Sequence, residues 1–154
     1  MSHSVPRPGI LLLLAALLVA GACTRPLPAP ASGTLPPPAP PSLVSSLSVE
    51  TEGDTVVLTL QVTNPYDAPV AVTFPSGQTY DFSVRDAGGR VLWTWSADRG
   101  FIQAVQTRTL AAGETWTFRE RWTPPSGTRG ALTAVARLAS SSHAVEHTRT
   151  FTRP

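Results

Sequence analysis

Lysine is absent: all twelve basic side chains are arginines, and two of them, Arg7 and Arg25, supply the whole net charge of +2. From Leu43 onward ten arginines face ten acids, so the chain carries no electrostatic footprint for nucleic acid. Cysteine occurs once, at Cys23. A single thiol excludes an internal disulfide and a cysteine-based metal cluster. No stretch after residue 23 sustains a helical period, which removes the strand-loop-helix setting that a phosphate-binding glycine loop needs; Gly88-Gly89 therefore reads as turn chemistry.

The groups that catalysis requires are also poorly provided. A serine hydrolase needs a nucleophile on a strained turn with a histidine base. Ser76 lies in Pro75-Ser76-Gly77, and the two later histidines, His143 and His147, both fall in the last segment. His143-Ala144-Val145-Glu146-His147 matches the H-x-x-E-H zinc pattern, but that chemistry needs both histidines on one helical face. Here the residues stand at strand spacing, which predicts an exposed edge with no third ligand. Asp81, Asp86 and Asp98 are spread over strand and turns without an evident partner. The expectation is no enzyme, no metal and no cofactor.

What is present begins with an apolar run, Ile10 to Ala20, too short for a comfortable membrane span and suited to the h-region of an export signal. Ala20-Gly21-Ala22-Cys23 then fits two cleavage chemistries at one bond. Small residues at 20 and 22 suit an ordinary signal peptidase; Gly21-Ala22-Cys23 after a leucine-rich run fits a bacterial lipobox with Cys23 lipidated. The only cysteine standing at that position favours lipidation, since a lone free thiol is otherwise a liability in an oxidising compartment. Prolines crowd Thr24 to Ser42, a composition that buries no core and favours extended polyproline II with a reach on the order of 60 Å. The expected organisation is a signal peptide over 1–22, a lipidation cysteine with a proline-rich linker over 23–42, and a folded domain over 43–154. The protein is thus expected in the cell envelope, anchored to a membrane by lipid and facing the periplasm or exterior.

The rest reads as strand after strand. Val56, Leu58, Leu60 and Val62 alternate with polar or outward positions, as do Val70, Val72 and Phe74; Trp116, Phe118 and Trp122; and Leu132, Ala134, Ala136 and Leu138. A period of two with turn residues between the runs predicts an all-β fold, an immunoglobulin-like antiparallel β-sandwich of seven or eight strands. Its centre is a hairpin in which Tyr80, Phe82 and Val84 answer Val91, Trp93 and Trp95. A two-residue Gly88-Gly89 turn would set Phe82 opposite Trp95 and Val84 opposite Trp93; a four-residue loop would put Arg85 opposite Arg90, an unfavourable like-charge pair. Phe82, Trp93, Trp95 and Phe118 are expected in the core, where four tryptophans supply the area that a missing disulfide does not.

The run Phe74-Pro75-Ser76-Gly77-Gln78, followed by Tyr80-Asp81-Phe82, Val84, Gly89 and Trp93-Thr94-Trp95-Ser96, resembles the BsuPI-type intracellular proteinase inhibitor family. The resemblance extends through Phe101 and Gln103 to Leu110, Gly113 and Glu114, and begins at Asn64 and Val70. Two positions depart from the pattern: Ala112 stands where proline is expected, and an export signal precedes a domain whose family name says intracellular. The resemblance implies a proteinase inhibitor, with a serine protease as partner, working through an extended loop that fills the protease cleft as a substrate would. Among loops 74–79, 97–103 and 124–129, the one carrying Asp98, Arg99, Gly100, Phe101 and Ile102 combines charge with apolar groups and is the expected contact. The alternative for Phe101 is a fold back into the core. The Phe74–Gln78 and Tyr80–Phe82 motif reads as fold-defining. A sandwich of this kind equally suits a second function, an envelope interaction or scaffold module that binds another envelope protein by an edge or face.

Overall fold

The computed structural model describes residues 42–154; the expected signal, Cys23 and nearly all of the proline-rich segment lie outside them. Nine strands are formed: β1 (Val44–Glu52), β2 (Thr55–Thr63), β3 (Val70–Phe74), β4 (Tyr80–Asp86), β5 (Val91–Thr94), β6 (Gln106–Leu110), β7 (Thr115–Trp122), β8 (Gly130–Leu138) and β9 (Val145–Arg153). They pair antiparallel in the orders β1-β2-β7, β3-β6 and β5-β4-β8-β9. The all-β sandwich is as expected, with nine strands in place of seven or eight.

The alternation read from the sequence becomes the core. Val56, Leu58, Leu60 and Val62 of β2 pack with Val70, Val72 and Phe74 of β3, with Phe82 and Val84 of β4 and with Leu132, Ala134, Ala136 and Leu138 of β8. Because successive side chains point to opposite faces, each of these rows needs one register only. Phe82 is fully buried, whereas Trp93, Trp95 and Phe118 are half-buried and pack against the core from its rim.

The strand pairs β2–β7 and β3–β6 run on from one another, and Asn64 holds the junction. Asn64 N–H donates to Glu114 O (2.9 Å), its Nδ2 reaches the carbonyls of Ala68, Leu110 and Ala111, and its Oδ1 accepts from Tyr66 N–H (3.0 Å). The turn Ala111–Glu114 is closed by Glu114 N–H to Ala111 O (3.1 Å) and has Gly113 at φ 68°, a type II geometry. Its second position suits proline, and Ala112 occupies it without strain.

The central hairpin corrects one expectation. Asp86 N–H donates to Arg90 O (3.0 Å) and Gly89 N–H to Asp86 O (2.9 Å), so the loop is the three residues Ala87-Gly88-Gly89 with Gly89 at φ 82°. The Asp86 side chain decides this: Oδ1 accepts from Gly88 N–H and Arg90 N–H, and Oδ2 pairs with Arg90 Nε (3.0 Å). A bulge then absorbs the extra residue. Arg85 faces Val91, but Val84 faces Trp93 and Ser83 faces Thr94, and Trp95 N–H donates to Phe82 O (2.8 Å). The aromatic partners are therefore those expected, reached through a different turn. Val91 pays with exposure, while Leu92 turns to the core.

Candidate functional site

Site construction begins at Tyr80, the first residue of β4. Its ring stacks on Trp95 at 4.2 Å between centroids, lies 4.6 Å from Phe118 and meets Phe82 edge-on at 5.7 Å. The Tyr80 hydroxyl donates to Glu120 Oε1 of β7 (2.5 Å), which ties β4 of one sheet to β7 of the other. Burial and the neighbouring Glu120 carboxylate push the phenol above its ordinary range; it stays a neutral donor at all working pH.

Next to it, Asp81 is only 5% exposed. Its Oδ1 accepts from Phe82 N–H (2.9 Å) and Ser96 N–H (3.2 Å), and its Oδ2 from Ser96 Oγ (2.8 Å) and Arg137 (3.2 Å). Asp81 thus has a charged partner, contrary to expectation: Arg137 sits directly opposite it in the β4–β8 register. A buried carboxylate needs such donors, and here they join Tyr80-Asp81-Phe82 to Trp95-Ser96. The two motifs are one structural unit.

From Ser96 the chain leaves β5 in successive turns, Ala97 N–H to Thr94 O and Arg99 N–H to Ser96 O (both 3.2 Å). Arg99 does not project freely. Its guanidinium lies 4.3 Å over the Trp95 ring and its Nε donates to Trp95 O (3.1 Å), an arrangement that uses both the planar donor and the ring quadrupole. Phe101 is half-buried against Trp95, with centroids 5.8 Å apart. It covers the rim of the aromatic stack without joining the core cluster. Trp95 Nε1 is buried there with no hydrogen-bond partner among the described residues.

The crest of the loop follows. Ile102 is 65% exposed and Val105 72%, the two highest values among the large apolar side chains of the described residues. Exposure is combined with bracing. Gly77 N–H donates to Ile102 O (2.9 Å), and Gln103 Nε2 donates to Phe101 O (3.0 Å). A Cβ at Gly77 would lie 2.9 Å from Ile102 Cγ1 and 3.4 Å from Ile102 N, so glycine is required here for close approach. The supporting segment is itself fixed, by Ser76 Oγ accepting from Gln78 N–H (3.2 Å) and by Gln78 Nε2 donating to Tyr80 O (3.2 Å). Phe74, fully buried, and the exposed Pro75 lead into it from β3.

The structure therefore brings Phe74–Gln78, Tyr80–Phe82, Trp95–Ser96 and Asp98–Ile102 together at one end of the sandwich, with Trp93 further along against Trp122 (6.1 Å). Beside the loop, a recess of about 300 Å³ is lined by Trp93, Trp95, Asp98, Arg99, Glu120 and Arg121. Sequence reasoning missed Glu120, Arg137 and Val105. Strand pairing would have pointed to Arg137, but nothing local marks Glu120.

The last segment does form the edge expected of it, β9 ending the sheet β5-β4-β8-β9, but His143 is not on it. His143 precedes β9 and is 7% exposed, with Nδ1 on Ser142 Oγ (2.8 Å) and Nε2 unpartnered among the described residues. Ser140 Oγ accepts its backbone N–H (3.1 Å): the serine turn folds over it and takes it inside. Burial holds its imidazole below the ordinary histidine value. His147 lies in β9, bonded to Ser45 of β1 (2.9 Å). Among the described residues no group of three His, Cys, Asp or Glu side chains is placed to hold a metal ion.

No curated protein matches the chain. Among solved structures, a penta-heme cytochrome c552 from Thermochromatium tepidum is 12% identical with a TM-score of 0.47, over 73% of this chain and 40% of that one. The β-glucosidase 3B from Thermotoga neapolitana in complex with α-D-glucose is 16% identical (TM-score 0.36, 72% and 17% covered). A protein from Archaeoglobus fulgidus is 14% identical (TM-score 0.34, 75% and 98% covered). This chain thus spans well under half of the cytochrome and of the glucosidase, and likenesses at this level say nothing of function. A family model does match: BsuPI, intracellular proteinase inhibitor, over residues 43–143.

Proposed function

Because the chain belongs to the BsuPI family of intracellular proteinase inhibitors, we propose that it inhibits a serine protease through the loop between β5 and β6, with Asp98, Arg99, Gly100, Phe101 and Ile102 at or beside the contact. The observation that carries this reading is Ile102, 65% exposed on a loop whose backbone is fastened to Gly77. An apolar side chain held in water is unfavourable by its lost burial, and a loop fixed before binding loses little conformational entropy on docking. The Asp81–Ser96–Arg137 cluster and the Tyr80–Trp95 stack hold the loop's root, so the family motif supports the contact from below.

In the same reading the inhibitor works in the cell envelope, tethered through lipid on Cys23 by the proline-rich linker, with a protease or another envelope protein as its partner. The anchor rests on the position of the single cysteine after a leucine-rich run.

The test is a titration of the purified protein against subtilisin-type and trypsin-type serine proteases, following turnover of a peptide substrate. Stoichiometric loss of activity is the expected result. Full activity with micromolar protein present overturns the reading and leaves a sandwich that serves as an envelope interaction module.

A further inference from the structure

A substrate-like inhibitor offers the protease a carbonyl. The catalytic hydroxyl adds to that carbon while its oxygen turns into the oxyanion hole, where backbone donors must reach it. In this loop the carbonyl oxygens of Phe101 and Ile102, and of Trp95 and Ser96 at its root, are already committed. Ile102 O accepts from Gly77 N–H (2.9 Å), Phe101 O from Gln103 Nε2 (3.0 Å), Ser96 O from Arg99 N–H (3.2 Å) and Trp95 O from Arg99 Nε (3.1 Å). The Ile102 side chain is largely exposed, with Cγ1 resting against Gly77, while its carbonyl points back at the body of the domain. Turning that carbonyl outward would break the Gly77 bond and lift Ile102 from the glycine that its Cγ1 and N approach closely.

The side chains divide in the same way. Arg99, the charged group that a basic-reading pocket would take, is spent on the Trp95 ring and carbonyl. Ile102 and Val105 are left as the exposed apolar pair.

We infer that the loop blocks its protease as an apolar wedge, Ile102 and Val105 seated in apolar subsites with the Ile102 carbonyl withheld from the catalytic serine, so that no acyl-enzyme forms at Ile102. This rests on the reading of the β5–β6 loop as the contact. The wedge requires a cleft with aliphatic-accepting subsites and makes no use of a basic-reading pocket.

The experiment takes subtilisin inhibited by a stoichiometric amount of the full protein, held for a prolonged period at neutral and mildly acidic pH, and reads the inhibitor by intact mass and peptide mapping. The expected result is sustained inhibition with no cut after Phe101 or Ile102. Ile102→Asp, at an exposed position, should fold with an unchanged melting temperature and weaken inhibition by about 30-fold or more. A cut after Ile102 that rises to a constant fraction while inhibition persists overturns the wedge and leaves the inhibitor reading standing; an Ile102→Asp variant that inhibits fully overturns the wedge together with the β5–β6 loop as the contact. Wild-type protein that inhibits no protease overturns both.

Discussion

Asn64 and His143 are both buried polar side chains, and the structure satisfies one and starves the other. Asn64 uses its amide as a donor to three carbonyls, at 2.8, 3.1 and 3.0 Å, and its oxygen as an acceptor. Only a side chain that is both donor and acceptor meets that demand. Asn64→Ala is expected to cost about 2–4 kcal/mol, since it strands carbonyls at the β2–β3 junction. Asn64→Asp, nearly the same shape, should cost more at neutral pH because a carboxylate would then face those carbonyls; urea melts of the two variants give the comparison. His143 is the opposite case: Nδ1 reaches Ser142 Oγ but Nε2 has no partner among the described residues, and burial disfavours its charged form. Its folded-state affinity for a proton is lowered, while the unfolded chain takes the proton near the ordinary pH of about 6.5. Protons then bind preferentially to the unfolded chain, so stability is complete above that pH and falls as pH drops from it to the depressed folded value, levelling off below. The loss is about 1.4 kcal/mol for each pH unit of depression. Thermal melts at pH 7.5 and 5.5 should show the fall in wild type, and His143→Gln should flatten it; an equal fall in both proteins would assign the dependence to other groups.

The central hairpin shows what a pattern of alternating residues determines and what it does not. Parity placed Val84 against Trp93 and Phe82 against Trp95, because a one-residue slip would move the aromatic row to solvent, and those pairs are present. Parity is blind to an extra residue in the turn that is cancelled by an extra residue in a bulge. The Asp86 carboxylate, which gathers Gly88 N–H, Arg90 N–H and the Arg90 side chain, selected that longer route. A measurable asymmetry follows. In a two-residue turn with both glycines at positive φ, either substitution would strain the backbone; here only Gly89 has φ of 82°. Gly89→Ala should therefore destabilise by about 1–2 kcal/mol, while Gly88→Ala meets only Asp86 Oδ1 at 3.3 Å and should cost visibly less. Equal losses in chemical denaturation would contradict the turn described here.

For the molecule as a whole, strand faces were legible because burial has a period of two, and the loop 97–103 was legible as an odd mixture of charge and apolar groups. Its supports were not. Gly77 against Ile102, Asp81 against Arg137 and Tyr80 against Glu120 are separated by tens of residues and depend on which strands become neighbours, which no local pattern encodes. His143 shows the reverse failure, a residue whose strand spacing suggested an edge but whose serine turn took it inside. Residues 1–41 lie outside the description altogether, so the anchor must be tested in the cell. A lipid on Cys23 needs the thiol, and one chain with its diacylglycerol partner holds a protein to a bilayer through burial of about 0.8 kcal/mol per methylene. The inhibitor should then sediment with membranes, and Cys23→Ala should move it to the soluble fraction without altering its inhibition of added protease, since every member of the loop and its brace lies beyond residue 73. Were the Cys23→Ala protein to stay with the membranes, the lipid anchor would be lost and an uncleaved apolar segment would take its place; were wild type soluble to begin with, Cys23 would be an unmodified residue at or near the start of a secreted inhibitor.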